Sequence, residues 1–235
     1  MSITPWADAP PLVQTVYHEA GHSVIAYAVR LPIREVRVGR EPRERTSLDE
    51  FTGGATHRLG VCEFVGEPTP PTDLADQRRR AISQSLQLVA GPLAVAVLLD
   101  TPRSWHGNDE IVGASGLLER AFGSESAAHF WGIIMMVQTI LESPPGRRAL
   151  ERLASKLFGD RRVPGTTAEQ IIGDAWEEGL EQLQDSVGDE EAARRYWPDR
   201  DPATMGFRVG AASEICRLDT AVEAARAYAC GRTNR

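Results

Sequence analysis

His18-Glu19-Ala20-Gly21-His22 carries the most chemically suggestive pattern in the chain. Two histidines four positions apart stand one above the other on a helix, so both imidazoles can reach a single Zn²⁺. Glu19, beside the first of them, is placed to take a proton from a water held by the metal and hand it to a leaving amine. Zinc lowers that water's pKa to about 7, which makes hydroxide available at neutral pH. Gly21 lets a neighbouring element or a substrate backbone approach closely. The competing reading is a helix whose histidines meet this spacing by chance.

A catalytic zinc needs three protein ligands plus water, and this motif supplies two. After His22 the chain reads "SVIAYAVRL", so the third histidine of an HExxHxxGxxH pattern is absent, and no glutamate follows shortly on a second helix. The third ligand has to come from farther along the chain.

The elements that must position these groups are mainly helical. From Pro11 to Arg30 the apolar residues Val13, Val16, Tyr17, Ala20, Val24 and Ala28 recur at helical spacing, with Pro32 closing the run. "IREVRVG" and "TGGATHRLGV" predict two short strands, and "EPTPPTD" a proline-rich linker in which Asp73 caps the next helix. That helix runs from about Leu74 to Leu99, with Gly91-Pro92 expected to bend or split it. "DTPRSWHGND" reads as a loop, and the pattern is helical from Asp109 to Phe122. "AAHFWGIIMMVQTILES" predicts a core helix and "PPGRRALERLASKLFGD" an amphipathic one. "RRVPG" reads as a turn, and another helix begins at Thr166 or Thr167. The expected fold is therefore mainly α with a small N-terminal β-sheet or hairpin. Residues 1–178 would form the main domain and 179–235 a C-terminal extension. The final helix of that extension would pack Ile215, Leu218, Val222 and Ala225 on one face.

Composition excludes several classes. A formal charge of −7 argues against a general nucleic-acid binder, and Arg78-Arg79-Arg80 reads as a solvated helix face. The single lysine, Lys156, lies outside any GxxxxGK[ST] loop, so no P-loop and no use of ATP are expected. Cys62, Cys216 and Cys230 form neither a disulfide framework nor a CxxC pair. Neither a signal peptide nor a membrane segment is evident, and the expected location is cytoplasmic.

In the order of its motifs the chain resembles the peptidase domain of the FtsH-type zinc proteases, peptidase family M41, in a stand-alone form without the AAA+ ATPase module. "HEAGHSVIAYAV" matches that family's zinc helix, and "LPIREVRVG" and "GGATHRLG" look like its two strands. "LQLVAGPLAVAVL" resembles its "LLGGRAAEEL" helix, and "SWHGNDEIVGA" its "TGASNDLERA" segment, whose aspartate is the third zinc ligand. "LERLASKLFGDRRVPGTTAEQI" is similar to the closing helices, so the likeness covers roughly residues 11–178. By this resemblance His18, His22 and Asp109 would hold Zn²⁺ and Glu19 would be the general base. "GASGLLERA" offers a second register for the last motif, without an acid at the ligand position. His106 and Glu110 stand as alternative third ligands. His57 would lie on the strand that the family uses for substrate, and His129 reads as a core or surface histidine.

The departures also matter. Proline and valine replace the arginine and glutamates of the family in "VAGPLAVAV". Without an unfoldase, the expected substrate is a flexible peptide or an already unfolded protein, aligned along the second strand by main-chain hydrogen bonds. The alternatives are a metal-binding or adaptor module that keeps this fold without proteolysis, and a helical scaffold with an accidental motif. Self-association or a separate partner protein is compatible with each.

Overall fold

The computed structural model describes residues 11–39, 60–64, 72–99, 108–185 and 218–226. Helix α1 (Pro11–Ala28) leads into strands β1 (Ile33–Val38) and β2 (Gly60–Phe64). Helices α2 (Leu74–Leu99), α3 (Asp109–Phe122), α4 (Ser126–Glu142) and α5 (Pro144–Asp160) follow, then strand β3 (Arg162–Pro164) and helix α6 (Gly165–Asp185). A further helical segment covers 218–226. The architecture is mainly α with one small antiparallel sheet, as the periodicity predicts.

Helix α1 is the hub of the packing: it touches α2, α4, α5, α6 and both β1 and β2. Its buried residues Val16, Ala20, Val24, Ile25 and Ala28 join Leu86, Val89 and Leu93 of α2 in one apolar core. A left-handed residue, Arg30 at φ 60°, ends the helix. The Arg30 and Leu31 amides donate back to the Tyr27 and Ala26 carbonyls, a six-residue closure that stops α1 two residues before Arg30.

The sheet order is β2-β1-β3, both pairings antiparallel. "RRVPG", expected as a turn, therefore contributes a strand: Val163 is buried opposite Val36, and three residues of pairing are too short to leave a periodic signal. The second strand begins at Gly60, at the end of the predicted stretch, and residues 51–59 lie outside the described residues.

Of the bend or split expected at Gly91-Pro92 the split does not occur: helix α2 is continuous through Pro92. A proline removes one hydrogen bond and crowds the preceding turn, but the helix is packed along α1, α3 and α4, and tertiary packing outweighs that local cost. Asp73 caps α2 as predicted, its Oδ1 accepting from the Asp76 amide at 2.7 Å.

Helix α4 is not wholly a core helix. Ile133, Ile134, Val137, Ile140 and Leu141 are buried, whereas Trp131 and Met135 are each 61% exposed on adjacent turns. Helix α6 runs unbroken through Gly179 to Asp185, so the expected domain boundary falls within it. In the segment 218–226, Leu218, Val222 and Ala225 are buried together, and Arg226 Nε donates to the Ala28 carbonyl at 2.7 Å. No described helix is long and apolar enough to cross a membrane.

Candidate metal centre

Three helices meet at His18 and His22. Helix α1 brings both histidines, as the four-residue spacing requires. Helix α2 crosses α1 at very short range. A Cβ at Gly21 would come within 2.4 Å of Ala94 Cβ, and a Cβ at Gly91 within 2.6 Å of the Nε2 atoms of both histidines. Real Cβ atoms do not make such contacts, so glycine at 91 leaves open the space into which the two imidazoles point.

Helix α3 supplies the acid. Asn108 sits in extended conformation as its N-cap, its side chain accepting from the Glu110 and Ile111 amides at 3.1 Å each. This cap sets the rotational phase of the helix. Asp109, at the first helical position, is exposed, while Glu110 turns inward. Glu110 Oε2 lies 3.0 Å from His18 Nε2, and Oε1 lies 3.7 Å from His22 Nε2. The two Nε2 atoms are 3.0 Å apart, with the rings edge to face.

One ligand atom from each of His18, His22 and Glu110 thus falls within 4.8 Å of the others, a group that could hold a metal ion. Tetrahedral ligation with bonds near 2.1 Å places donor atoms about 3.4 Å apart, close to these spacings. The tautomer also fits. His22 Nδ1 is 2.7 Å from the Gln87 carbonyl oxygen, which can only accept, so Nδ1 carries the proton and Nε2 of the neutral ring offers its lone pair to the cleft.

The electrostatics are those of a charged cluster out of water. Burial works to lower the pKa of His22, but the negative charge of the nearby Glu110 carboxylate outweighs it; Glu19 and the Gln87 carbonyl add to the rise, which reaches about 9. Burial pushes Glu110 the other way, toward protonation, yet His22 and His18 hold it well below the usual carboxylate range. Without an ion, a proton on His22 therefore balances the buried carboxylate. Glu19, only 5% exposed, stands beside this cluster on α1.

The residues singled out from the sequence separate as follows. His18 and His22 come together, and the carboxylate that joins them is Glu110 rather than Asp109. His57 and His106 lie outside the described residues. His129 is half-buried and stacked on Phe122, ring centroids 3.9 Å apart, and takes no part in the group. Gln87 and Gly91 were not singled out for the site. Glu110 was legible: it precedes the buried stripe Ala114, Leu117 and Ala121 by one turn on the same face of α3. No sequence signal marks the Gln87 carbonyl, since any residue has one.

No protein-family model matches the chain, and comparison with curated proteins gives no match. The likeness to peptidase family M41 rests on the motifs themselves.

Proposed function

We propose that this chain is a zinc-dependent metallopeptidase of the M41 type, acting on flexible or unfolded polypeptides. The observation that carries this reading is the convergence of His18 Nε2, His22 Nε2 and the Glu110 carboxylate under Gly91, with Glu19 adjacent. In this reading Glu110 takes the place first expected for Asp109. A zinc ion at this site would supply a Lewis acid for the peptide carbonyl and bring the pKa of its water to about 7.

The protein's own part follows from the geometry. The Gln87 carbonyl fixes the His22 ring, and the Asn108 cap fixes the start of α3 and with it Glu110. The missing Cβ at Gly91 leaves room under α2 for both imidazoles. Glu19, which bears no ligand role, is the group to remove a proton from the attacking water and return it to the departing amine nitrogen. The low-dielectric surroundings strengthen each of these interactions.

The test is metal analysis of the purified protein followed by cleavage of unstructured casein, with Glu19→Gln as control under metal-saturated conditions. Zinc uptake by both forms, with turnover only in the parent chain, is expected. Equal turnover by the two would reject the mechanism. Zinc uptake without cleavage would favour a metal-bound interaction module, a reading supported by the exposed Trp131 and Met135 on α4.

A further inference from the structure

Among the described residues, three side-chain atoms are buried without a hydrogen-bond partner: Gln87 Nε2, Gln87 Oε1 and Glu110 Oε2. The last lies near His18 Nε2 but makes no hydrogen bond of ordinary geometry there. Both residues belong to one site, Glu110 through its carboxylate and Gln87 through its main-chain oxygen. The main-chain oxygen of Gln87 holds Nδ1 of the His22 ring, and Glu110 faces Nε2 of that same ring, so a single imidazole lies between the two residues. Helices α2 and α3, which carry them, pack directly on each other. Gln87 is 9% exposed. A buried amide with neither donor nor acceptor satisfied is costly, and an apolar side chain of the same volume would carry no such cost.

We propose that the Gln87 carboxamide is a positioning group for Glu110: when the site carries its metal, Gln87 Nε2 donates to the Glu110 oxygen that does not grip the ion. This rests on the metal-site reading above. The chemistry favours an amide. A carboxylate that binds through one oxygen leaves the other anionic and buried, and it needs a donor. A lysine or arginine there would compete with the ion for the charge, and an acid would repel Glu110. The neutral N–H satisfies the oxygen without doing either. A glutamine has enough rotatable bonds to swing its amide without moving α2.

Gln87→Met tests this, because it keeps the backbone carbonyl, the approximate volume and the helix propensity while removing the amide. Zn²⁺ affinity by chelator competition, the visible spectrum of the Co²⁺ form and the Tm of the metal-free protein are measured beside wild type. The expected result is a metal affinity about 10–100-fold weaker and a shifted Co²⁺ band, with a metal-free Tm equal to or above that of wild type. Unchanged affinity and spectrum in the variant would overturn the proposal. A fall in affinity accompanied by a lower metal-free Tm would also overturn it, by making the amide a fold element only. Should the methionine variant not fold, Gln87→Leu carries the same measurements. Wild type that takes up no metal would remove the site itself, whereas wild-type binding with an indifferent Gln87 variant would remove only this inference.

Discussion

Helices α1 and α2, like α5 and α6, approach closely over glycines, and the two crossings bury different things. Between α1 and α2, Gly21 and Gly91 let the backbones approach, and the space beside them holds His18, His22, Glu19 and Gln87. Between α5 and α6, a Cβ at Gly179 would lie 2.5 Å from the Pro145 Cα, an equally close approach. There the core is Leu150, Leu153, Leu157 and Ile172, and the charges stay at the rim, where Arg148 and Arg152 meet Glu178 at 2.9 and 2.6 Å in partly solvated pairs. The same packing device therefore serves stability in one place and holds costly polar groups out of water in the other. Burial of charge is the mark of a site, because surface pairs contribute little and cost little.

The largest effect expected from breaking this contrast comes from alanine at each crossing. Gly91→Ala removes a poor helix former and places a methyl against two imidazoles, which can swing aside. The variant should fold with nearly the wild-type Tm and lose detectable Zn²⁺ binding. Gly179→Ala meets backbone, which cannot swing aside. It should retain zinc and lose about 1–3 kcal/mol of stability, read as a drop in Tm of about 2–4 °C per kcal/mol. Equal metal binding by the Gly91 variant would mean that the cleft under α2 is not where an ion sits.

A smaller but sharper effect separates the two neighbouring acids. Glu110→Gln should weaken Zn²⁺ binding by more than the about 10–100-fold that loss of an outer-shell partner costs, since an amide oxygen is a poorer ligand than a carboxylate. Asp109→Asn should leave metal affinity unchanged and cost only about 0.3–1 kcal/mol, from a lost negative charge in the first turn of α3. The reverse order of effects would restore Asp109 as the ligand.

That pair of acids also shows how far the sequence could be read. The histidine spacing and the amphipathic runs are local properties, so α1 and the cores of α2, α3 and α5 were visible in it. Adjacent residues on a helix differ by about 100° in direction, so the choice between Asp109 and Glu110 depends on which face of α3 meets its neighbours. The buried stripe through Ala114, Leu117 and Ala121 answers that, but a motif read letter by letter does not use it. The continuity of α2 through Pro92 and the pairing of Val163 with Val36 were not legible, because both depend on contacts between segments distant in the chain. The outward face of α4, with Trp131 and Met135 exposed, was hidden by a composition apolar on all sides.

A dependence on pH also divides the two regions. His22 in the folded, metal-free chain holds its proton up to about pH 9, against 6.5 for an unperturbed imidazole. A group whose pKa is raised by folding stabilises fully below its unfolded value and loses that contribution as pH rises through the folded one. Metal-free protein should therefore lose roughly 3 kcal/mol of stability between about pH 6.5 and 9, a fall in Tm on the order of 10 °C. Glu178, lowered first by its hydrogen bond to Arg152, behaves oppositely, and its contribution is lost only in acid, below the ordinary carboxylate range. Thermal scans of wild type, His22→Phe and Glu178→Gln across pH 6 to 10 separate the two regions. The alkaline decline should vanish in the His22 variant and persist in the Glu178 variant. Saturating zinc should abolish it in wild type as well, because the ion takes the place of the His22 proton against Glu110 and binds more tightly as that proton leaves. A decline that survives both His22→Phe and zinc would place its origin elsewhere in the fold and deprive the buried cluster of the coupling that sets it apart from the α5–α6 rim.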